Sequence, residues 1–224
     1  RLRLVRCGFD GKALRRACAN GSSELLSNIS MSLVSMLFNV QLMKYAGENG
    51  IAAYGVLMYV SLVFQAVFLG YSVGVAPVIS YHSGAGNYEE GRGLLKRSLA
   101  LVGVFSLLMF AAGQTMARPL SMLFVGYDAE LLAITVRAFA IFSFTFLFSG
   151  LAIFVSSFFT ALNDGLTSAL ISFLRTLVFQ CLAVLILPRI WKLDGIWLST
   201  VVADTMAVAV TVLFLVGKRK KYRY

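Results

Sequence analysis

The sequence predicts an all-α, polytopic membrane protein, and three observations lead to this class. Hydrophobic residues make up 59% of its 224 residues and charged residues only 13%, whereas an average soluble domain is about 45–50% apolar and about 25% charged. The apolar residues are gathered into long runs. With 18 Phe and 9 Tyr, the chain is also too rich in aromatic residues to be intrinsically disordered.

Six of the apolar runs are long enough to cross a bilayer as helices. A membrane helix needs about 20 mostly apolar residues to span roughly 30 Å of hydrocarbon. The six predicted transmembrane helices cover residues 22–45, 50–80, 94–117, 130–161, 166–187 and 196–217. Strands of a transmembrane barrel would instead alternate over about 10 residues, and these runs are too long and too evenly apolar for that.

Turn-forming residues separate the runs and predict short connections between antiparallel neighbours. The turn positions are 47–50, 83–87, Pro119, 163–165 and Pro188. In this prediction Pro119 follows the third helix and Pro188 ends the fifth. The predicted organisation is a basic cytoplasmic linker at 1–20, a six-helix transmembrane lobe at 21–217 and a basic cytoplasmic tail at 218–224.

The distribution of basic residues predicts the orientation of the lobe. Fourteen Lys and Arg fall in the N-terminal segment, the 82–97 loop and the tail, whereas four fall in the connections on the other side. The side richer in Lys and Arg is normally cytoplasmic, so we expect both termini in the cytoplasm and a multi-pass protein of the bacterial inner (plasma) membrane. The net charge of +10 is then explained by the topology and by attraction to anionic lipid headgroups. We therefore do not expect nucleic acid as a partner.

The composition argues against a metal site or a catalytic centre. The chain has three Cys without metal-like spacing and a single His. It shows no Ser/His pair, no paired catalytic Asp and no Walker-type phosphate loop, so we predict that it is not an enzyme and binds no metal or organic cofactor. Because the chain begins without Met, we expect it to be a segment of a longer protein.

Polar side chains follow one face of the first predicted helix. They recur at intervals of three or four residues and are Glu24, Asn28, Ser32, Ser35 and Asn39. Such a face is expected to look into a bundle or a water-filled cavity, as part of a solute or proton pathway. Two alternatives stay open, namely hydrogen bonds between packed helices and a Glu24 that only offsets the helix dipole.

Two charged residues fall deep inside predicted helices, where hydrocarbon offers them no partner. Arg175 is about nine residues into the fifth helix and Asp204 about eight residues into the sixth, so they lie at similar depths. Because these helices are sequential neighbours, we predict an Arg175–Asp204 ion pair. The alternative is that Asp204 faces a cavity and takes up a proton there.

Further polar residues complete the set of candidates. Ser168 and Ser172 share one face of the fifth helix with Arg175, and Tyr54 is expected at the membrane interface. The residues that we predict to line a substrate or ion pathway are Glu24, Asn28, Asn39, Gln65, Arg175, Gln180 and Asp204.

Several local patterns resemble the multidrug and toxic compound extrusion (MATE) transporters. The run Gly70-Tyr-Ser-Val-Gly74-Val-Ala-Pro77-Val-Ile-Ser-Tyr-His-Ser-Gly84-Ala-Gly-Asn-Tyr88 is similar to the family signature G-x-x-P-x-x-x-Y-x-x-G-A-x-N-Y. Weaker similarities are found at 20–28, at the Ala-Ala-Tyr-Gly within 50–55, at 172–175 and at 194–197. Family members typically consist of two six-helix lobes, and this chain resembles the C-terminal lobe, with residues 1–20 similar to the linker between lobes.

The resemblance implies secondary active multidrug efflux. An inward H+ or Na+ gradient would drive the export of small amphipathic or cationic solutes by alternating access. The implied partners are the lipid bilayer and the N-terminal lobe, which is missing from this chain. A flippase for lipid-linked saccharides from the same superfamily is one alternative, favoured by a wide cationic cavity. A non-transporting membrane scaffold subunit is the other.

Overall fold

The computed structural model describes residues 11–222, except for the side chains at 13, 16, 19–24, 26, 27 and 220. The secondary structure of this part is helical throughout. The elements are α1 (Gly11–Gly84), α2 (Tyr88–Val125), α3 (Ala129–Phe142), α4 (Thr145–Ala161), α5 (Gly165–Phe173), a π-helical segment (Leu174–Phe179) and α6 (Gln180–Tyr222).

The first element, α1, consists of two helices joined at Gly47. This residue has φ 61° and ψ −148°, a non-helical conformation that glycine adopts at low cost. The rings of Phe38 and Tyr54 stack with centroids 5.2 Å apart, although sixteen residues of straight helix would separate them by about 24 Å. The chain therefore reverses at Gly47, between α1a (residues 11–46) and α1b (residues 48–84).

The last element, α6, reverses in the same way at Lys192, which has φ 50° and ψ −125°. A Cβ added at Gly195 would collide with the carbonyl oxygen of Leu187, eight residues earlier. Only glycine allows the backbone to approach so closely. We call the two helices on either side of the reversal α6a (residues 180–191) and α6b (residues 193–222).

Substituting Gly195 tests this reversal. Gly195→Ala should lower the free energy of unfolding by about 1–3 kcal/mol, because the clashing atoms belong to rigid backbone. The matched control is Gly103→Ala in α2, where no atom lies within 4 Å of the added methyl group. Thermal unfolding of the detergent-solubilised protein measures both, and equal midpoints for the two variants would show that the close approach is absent.

The helices have the length and apolarity of membrane-crossing segments. Within residues 11–222, three stretches pass this test, namely Asn28–Gly84, Tyr88–Val125 and Gly165–Arg219. The α3–α4 pair, bent by 49°, would form a fourth. The chain is a multi-pass membrane protein, and its fewer, longer elements differ from six separate predicted helices because helix is nearly continuous through the reversals at Gly47 and Lys192.

A glutamine from α2 explains the bend between α3 and α4. Gln114 Nε2 donates to the carbonyl oxygen of Ala140 at 2.9 Å and to Ser143 Oγ at 2.8 Å. A side chain inserted into the backbone hydrogen bonds is a recognised cause of helix bending. Gly113 permits this approach, because a Cβ there would lie 2.7 Å from Ser143 Cβ. The predicted continuous helix over 130–161 is therefore wrong at this point.

Three other predicted helix boundaries are corrected. α2 continues through Pro119 to Val125, and Pro188 lies inside α6, because a membrane helix can tolerate the loss of one backbone hydrogen bond at proline. α1 begins at Gly11, whereas the predicted first helix begins at residue 22.

Aromatic packing holds the lobe together. Most phenylalanines of α3 and α4 are buried rather than exposed; these are Phe139, Phe142, Phe146, Phe154, Phe158 and Phe159. They belong to two hydrophobic clusters that also contain residues of α1 and α6. Between helices in a membrane, such packing stabilises chiefly through van der Waals contacts.

Candidate functional site

A cavity of about 260 Å³ opens between α1, the α3–α4 bend and the last helices; we call it the central cavity. Its walls combine apolar side chains, such as Met31 and Met58, with polar ones from several elements. The polar side chains of the last helices are Arg175, Thr176, Gln180, Thr200 and Asp204. A concave apolar site with a few convergent polar groups is the usual form of a small-molecule site.

Arg175 and Asp204 form an ion pair in the central cavity, as the sequence predicts. Arg175 Nε donates to Asp204 Oδ1 at 2.8 Å, and the two side chains are 16% and 3% exposed. Asp204 Oδ2 is buried and has no hydrogen-bond partner among the described residues. The pair therefore leaves one carboxylate oxygen available to a proton or to the donor group of a ligand.

The local backbone explains how these two side chains meet. Arg175 lies in the π-helical segment, a form that is rare and often found at functional sites. The reversal at Lys192 returns α6b alongside the helix that carries Arg175. Gln180 Nε2 donates to Thr200 Oγ1 at 3.0 Å, which adds a second polar contact between α6b and the helix that runs from Arg175 into α6a.

The structure brings together four of the seven predicted pathway residues. Gln65, Arg175, Gln180 and Asp204 line the central cavity. Asn28 is exposed and Asn39 half-buried on α1a, and neither lines this cavity. The side chain of Glu24 lies outside the described residues. Among the members of the predicted polar face of α1a whose side chains are described, only Ser35 lines the central cavity.

Several lining residues are absent from the predicted set, among them Tyr54 and Thr145. Tyr54, which the sequence predicts at the membrane interface, is 8% exposed, stacks on Phe38 and forms part of the cavity wall. Thr145 lines the cavity, and its buried hydroxyl has no partner among residues 11–222. Hydroxyl side chains are common in membrane helices, so no sequence signal distinguishes Thr145 from other threonines.

A second polar cluster closes the end of the lobe that carries the C-terminus. Asp164, in the turn between α4 and α5, accepts hydrogen bonds on Oδ2 from Lys218 Nζ at 2.6 Å and from Tyr222 OH at 2.8 Å. Lys218 also contacts Thr167. Burial alone would raise the pKa of Asp164, but hydrogen bonds from Lys218, Tyr222 and Thr167 and the charge of Lys218 lower it to about 2.

The Asp164 cluster predicts a specific acid sensitivity. Because the pKa of Asp164 lies below its ordinary value of 3.8, its carboxylate stabilises the fold above about pH 4, and this contribution is lost as the pH falls from about 4 to about 2. Its size is of the order of 2 kcal/mol. Thermal unfolding of Asp164→Asn and Lys218→Met should show a lower midpoint at neutral pH and a flatter response below pH 4; a wild-type slope in both variants would contradict this.

An exposed ion pair lies beside the reversal at Lys192. Arg137 of α3 donates from Nε and Nη2 to the two carboxylate oxygens of Asp194, at 2.9 and 2.5 Å. The side chains are 71% and 37% exposed, so the pair contributes little stability.

Within residues 11–222 no group of three or more His, Cys, Asp and Glu side chains is placed to hold a metal ion.

A helical membrane lobe with a polar cavity and a buried ion pair between its helices has features typical of membrane transport proteins. The MatE family model matches residues 25–185, and the chain belongs to this family of transporters. That membership confirms the resemblance seen in the sequence and agrees with the prediction that the chain is not an enzyme.

Solved structures show the same fold. An outward-facing multidrug resistance MATE family transporter of the MOP superfamily matches with a TM-score of 0.91 and 20% identity over 99% of this chain and 50% of its own. A MATE in complex with MaL6 matches at 0.88 and 20% identity over 96% and 49%. A MOP superfamily transporter from Pyrococcus furiosus Vc1 matches at 0.88 and 19% identity over 97% and 49%.

Nearly all of this chain matches, but only part of each solved structure is covered. The chain spans about half the length of the solved structures it matches, so the fold is that of half a MATE transporter. Comparison with curated proteins gives no match.

Proposed function

We propose that this chain forms the C-terminal half of a secondary active efflux transporter, which exchanges amphipathic or cationic compounds for H+ or Na+ by alternating access. The observation that supports this most directly is the central cavity, where the buried Asp204 carboxylate is paired with Arg175 through one oxygen only. Ionisable groups buried at membrane depth commonly mark ion or substrate pathways. A solved structure with the same fold is described as a multidrug resistance transporter.

The proposed lobe crosses the bilayer six times, through α1a, α1b, α2, the α3–α4 pair, α5 with α6a, and α6b. The apolar stretch Asn28–Gly84 contains 57 residues, which as one straight helix would measure about 86 Å. A bilayer core is only about 30 Å thick, so a stretch of this length that reverses at Gly47 fits two crossings. The excess of Lys and Arg on one side supports cytoplasmic termini, and the proposed membrane is the bacterial inner membrane.

The exposed face of α1a fits contact with the other half of such a transporter. Asn28, which is exposed, and Asn39, which is half-buried, remain proposed pathway residues, on a helix whose neighbouring apolar side chains Met36 and Val40 are exposed. An N-terminal lobe packed against α1a would convert this exposed polar stripe into the wall of a cavity between lobes. Residues 1–20 would then link the two lobes, and residues 218–224 would form the cytoplasmic tail.

In this proposal the Arg175–Asp204 pair in the central cavity couples proton uptake to a change in helix arrangement. Protonation of Asp204 would cancel the negative charge that holds Arg175, and the two states would favour different arrangements of the helices around the cavity. The cavity lining contains one cationic and one anionic residue, which pair with each other. Such a neutral lining favours exchange of a cation over the binding of lipid-linked phosphate, so we do not propose a flippase.

Reconstitution of the complete gene product in lipid vesicles tests this function. Efflux of a fluorescent organic cation is measured under an imposed pH gradient and, separately, under an imposed Na+ gradient. Efflux that depends on one of these gradients is the expected result. Binding of the cation without gradient-driven efflux under either condition would contradict the proposal and favour a non-transporting membrane subunit.

A further inference from the structure

Four side-chain hydroxyls form a continuous chain between α4 and α5. Thr160 Oγ1 donates to Ser168 Oγ at 2.7 Å, Ser168 Oγ lies 2.9 Å from Ser156 Oγ, and Ser156 Oγ lies 3.0 Å from Ser172 Oγ. We call these four residues the hydroxyl ladder. All of them are buried or half-buried.

The hydroxyl ladder differs from other hydroxyls of this lobe. The buried Ser72, Ser121 and Thr135 each donate to the carbonyl oxygen four residues earlier in their own helix, which is the usual way for a membrane helix to satisfy a hydroxyl. In the ladder, hydroxyl bonds to hydroxyl between α4 and α5 at 2.7–3.0 Å. These contacts are shorter than those that Thr160 and Ser156 also make to the backbone carbonyl oxygens of Ser156 and Ser168, at 3.2 and 3.3 Å. Each hydroxyl can donate one hydrogen bond and accept two, so such a chain can pass a proton along its length.

The two ends of the hydroxyl ladder lie near charged groups. At one end, Ser168, which bonds to the terminal Thr160, donates its backbone N–H to the carbonyl oxygen of Asp164, whose carboxylate bonds to Lys218. At the other end, Thr176 donates to the carbonyl oxygen of Ser172 at 2.6 Å and lines the central cavity together with Asp204. That cavity, at about 260 Å³, has room for several water molecules of about 30 Å³ each, enough to join Thr176 to Asp204. Proton transfer between Asp204 and the ladder requires this water to reach past Thr176 to Ser172, which lies one helical turn beyond the cavity lining.

We propose that the hydroxyl ladder is a proton relay between Asp204 and the end of the lobe marked by Asp164 and Lys218, so that it releases to the cytoplasm the protons taken up in the central cavity. This inference rests on the proposed function and specifies H+ as the coupling ion. The titratable or charged groups that face the route are Arg175, Asp204 and Tyr54 at the cavity end and Asp164, Lys218 and Tyr222 at the other.

The transfer balances without any further reactant. A proton leaves the Asp204 carboxylic acid through cavity water; each hydroxyl oxygen accepts one proton from the preceding group and releases its own to the next. Thr160 delivers one proton to water at the cytoplasmic surface. Afterwards Asp204 is a carboxylate paired with Arg175, and every hydroxyl has its original composition with its hydrogen bond pointing the other way.

Ser156 is the member to substitute, because its hydroxyl makes two of the three contacts of the ladder. The experiment uses the complete gene product in vesicles and measures the initial rate of organic-cation efflux under an imposed pH gradient, together with the dissociation constant of the cation. Ser156→Ala should slow proton-driven efflux at least about tenfold and leave the dissociation constant unchanged. Ser156→Thr keeps the hydroxyl and should restore the rate.

The neighbouring serine provides the matched control. Ser157 Oγ contacts only the backbone carbonyl oxygen of Ser72, at 3.4 Å, so Ser157→Ala should keep the wild-type rate. Ser172→Ala gives a second break in the ladder if Ser156→Ala lowers stability.

The outcomes separate the relay from the function on which it rests. A wild-type protein driven by the pH gradient, with Ser156→Ala and Ser172→Ala as fast as Ser157→Ala, would overturn the relay and keep antiport. A wild-type protein driven only by Na+ would also overturn the relay. Efflux under neither gradient would overturn both.

Discussion

Replacing Asp204 with asparagine should reduce proton-driven efflux by at least about a hundredfold, the loss typical of removing an essential proton-transfer group. Asparagine has nearly the same shape, and its amide oxygen can still accept the hydrogen bond from Arg175 Nε. It cannot ionise, so it can neither hold Arg175 by charge nor carry a proton. The measurement is the initial rate of organic-cation efflux from vesicles over a range of imposed pH gradients.

The matched control for Asp204→Asn is Asp194→Asn. Asp194 also forms an ion pair with an arginine, but that pair is largely exposed, and exposed pairs contribute about 0–1 kcal/mol. This variant should therefore transport at close to the wild-type rate. An Asp204→Asn protein that transports with the wild-type dependence on pH would exclude Asp204 as the proton site.

The second large effect is expected from breaking the Arg175–Asp204 pair on the arginine side. Arg175→Met leaves a buried carboxylate without its partner, and loss of one member of a buried pair costs about 3–5 kcal/mol of stability. The double variant Arg175→Met/Asp204→Leu removes both charges, and replacing a buried pair with apolar residues is often neutral or stabilising. We therefore expect the double variant to regain most of the lost stability.

The double variant separates folding from transport. Thermal unfolding in detergent should give a midpoint well below wild type for Arg175→Met and near wild type for Arg175→Met/Asp204→Leu. Proton-driven efflux should be lost in both. Recovery of efflux together with stability would mean that the pair serves the fold alone.

The Arg175–Asp204 pair could be predicted from the sequence because the physics leaves few options. A charge inside an apolar helix needs a partner, and two opposite charges at similar depth on sequential helices can reach each other. The position of each residue within its predicted helix was enough to estimate its depth. Their contact at 2.8 Å confirms this reasoning.

Which face of α1a looks inward could not be predicted in the same way. In a soluble protein the apolar face of a helix is the buried one, but in a membrane both the lipid-facing and the packed faces are apolar. The spacing of Asn28, Ser35 and Asn39 predicts only that they share a side of the helix. Their rotation relative to the cavity depends on the reversal at Gly47 and on packing, which local spacing does not encode.

The irregular features of the backbone could not be predicted from the sequence either. Pro119 and Pro188 are typical helix-ending residues, yet both lie within helices. The bend between α3 and α4 depends on Gln114, which comes from another helix. The π-helical segment has no distinctive composition, since Leu, Val, Phe, Thr and Arg are all common in ordinary helices.

The π-helical turn at Leu174–Phe179 has a consequence for insertions and deletions in this region. Such a turn corresponds to an α-helix with one extra residue, and each residue of an α-helix turns the chain by about 100°. Deleting one residue from this segment would restore a regular helix and rotate Arg175 and Gln180 relative to each other. Their partners Asp204 and Thr200 lie on one helix. The shortened chain would therefore keep only one of the two contacts, either Arg175–Asp204 or Gln180–Thr200.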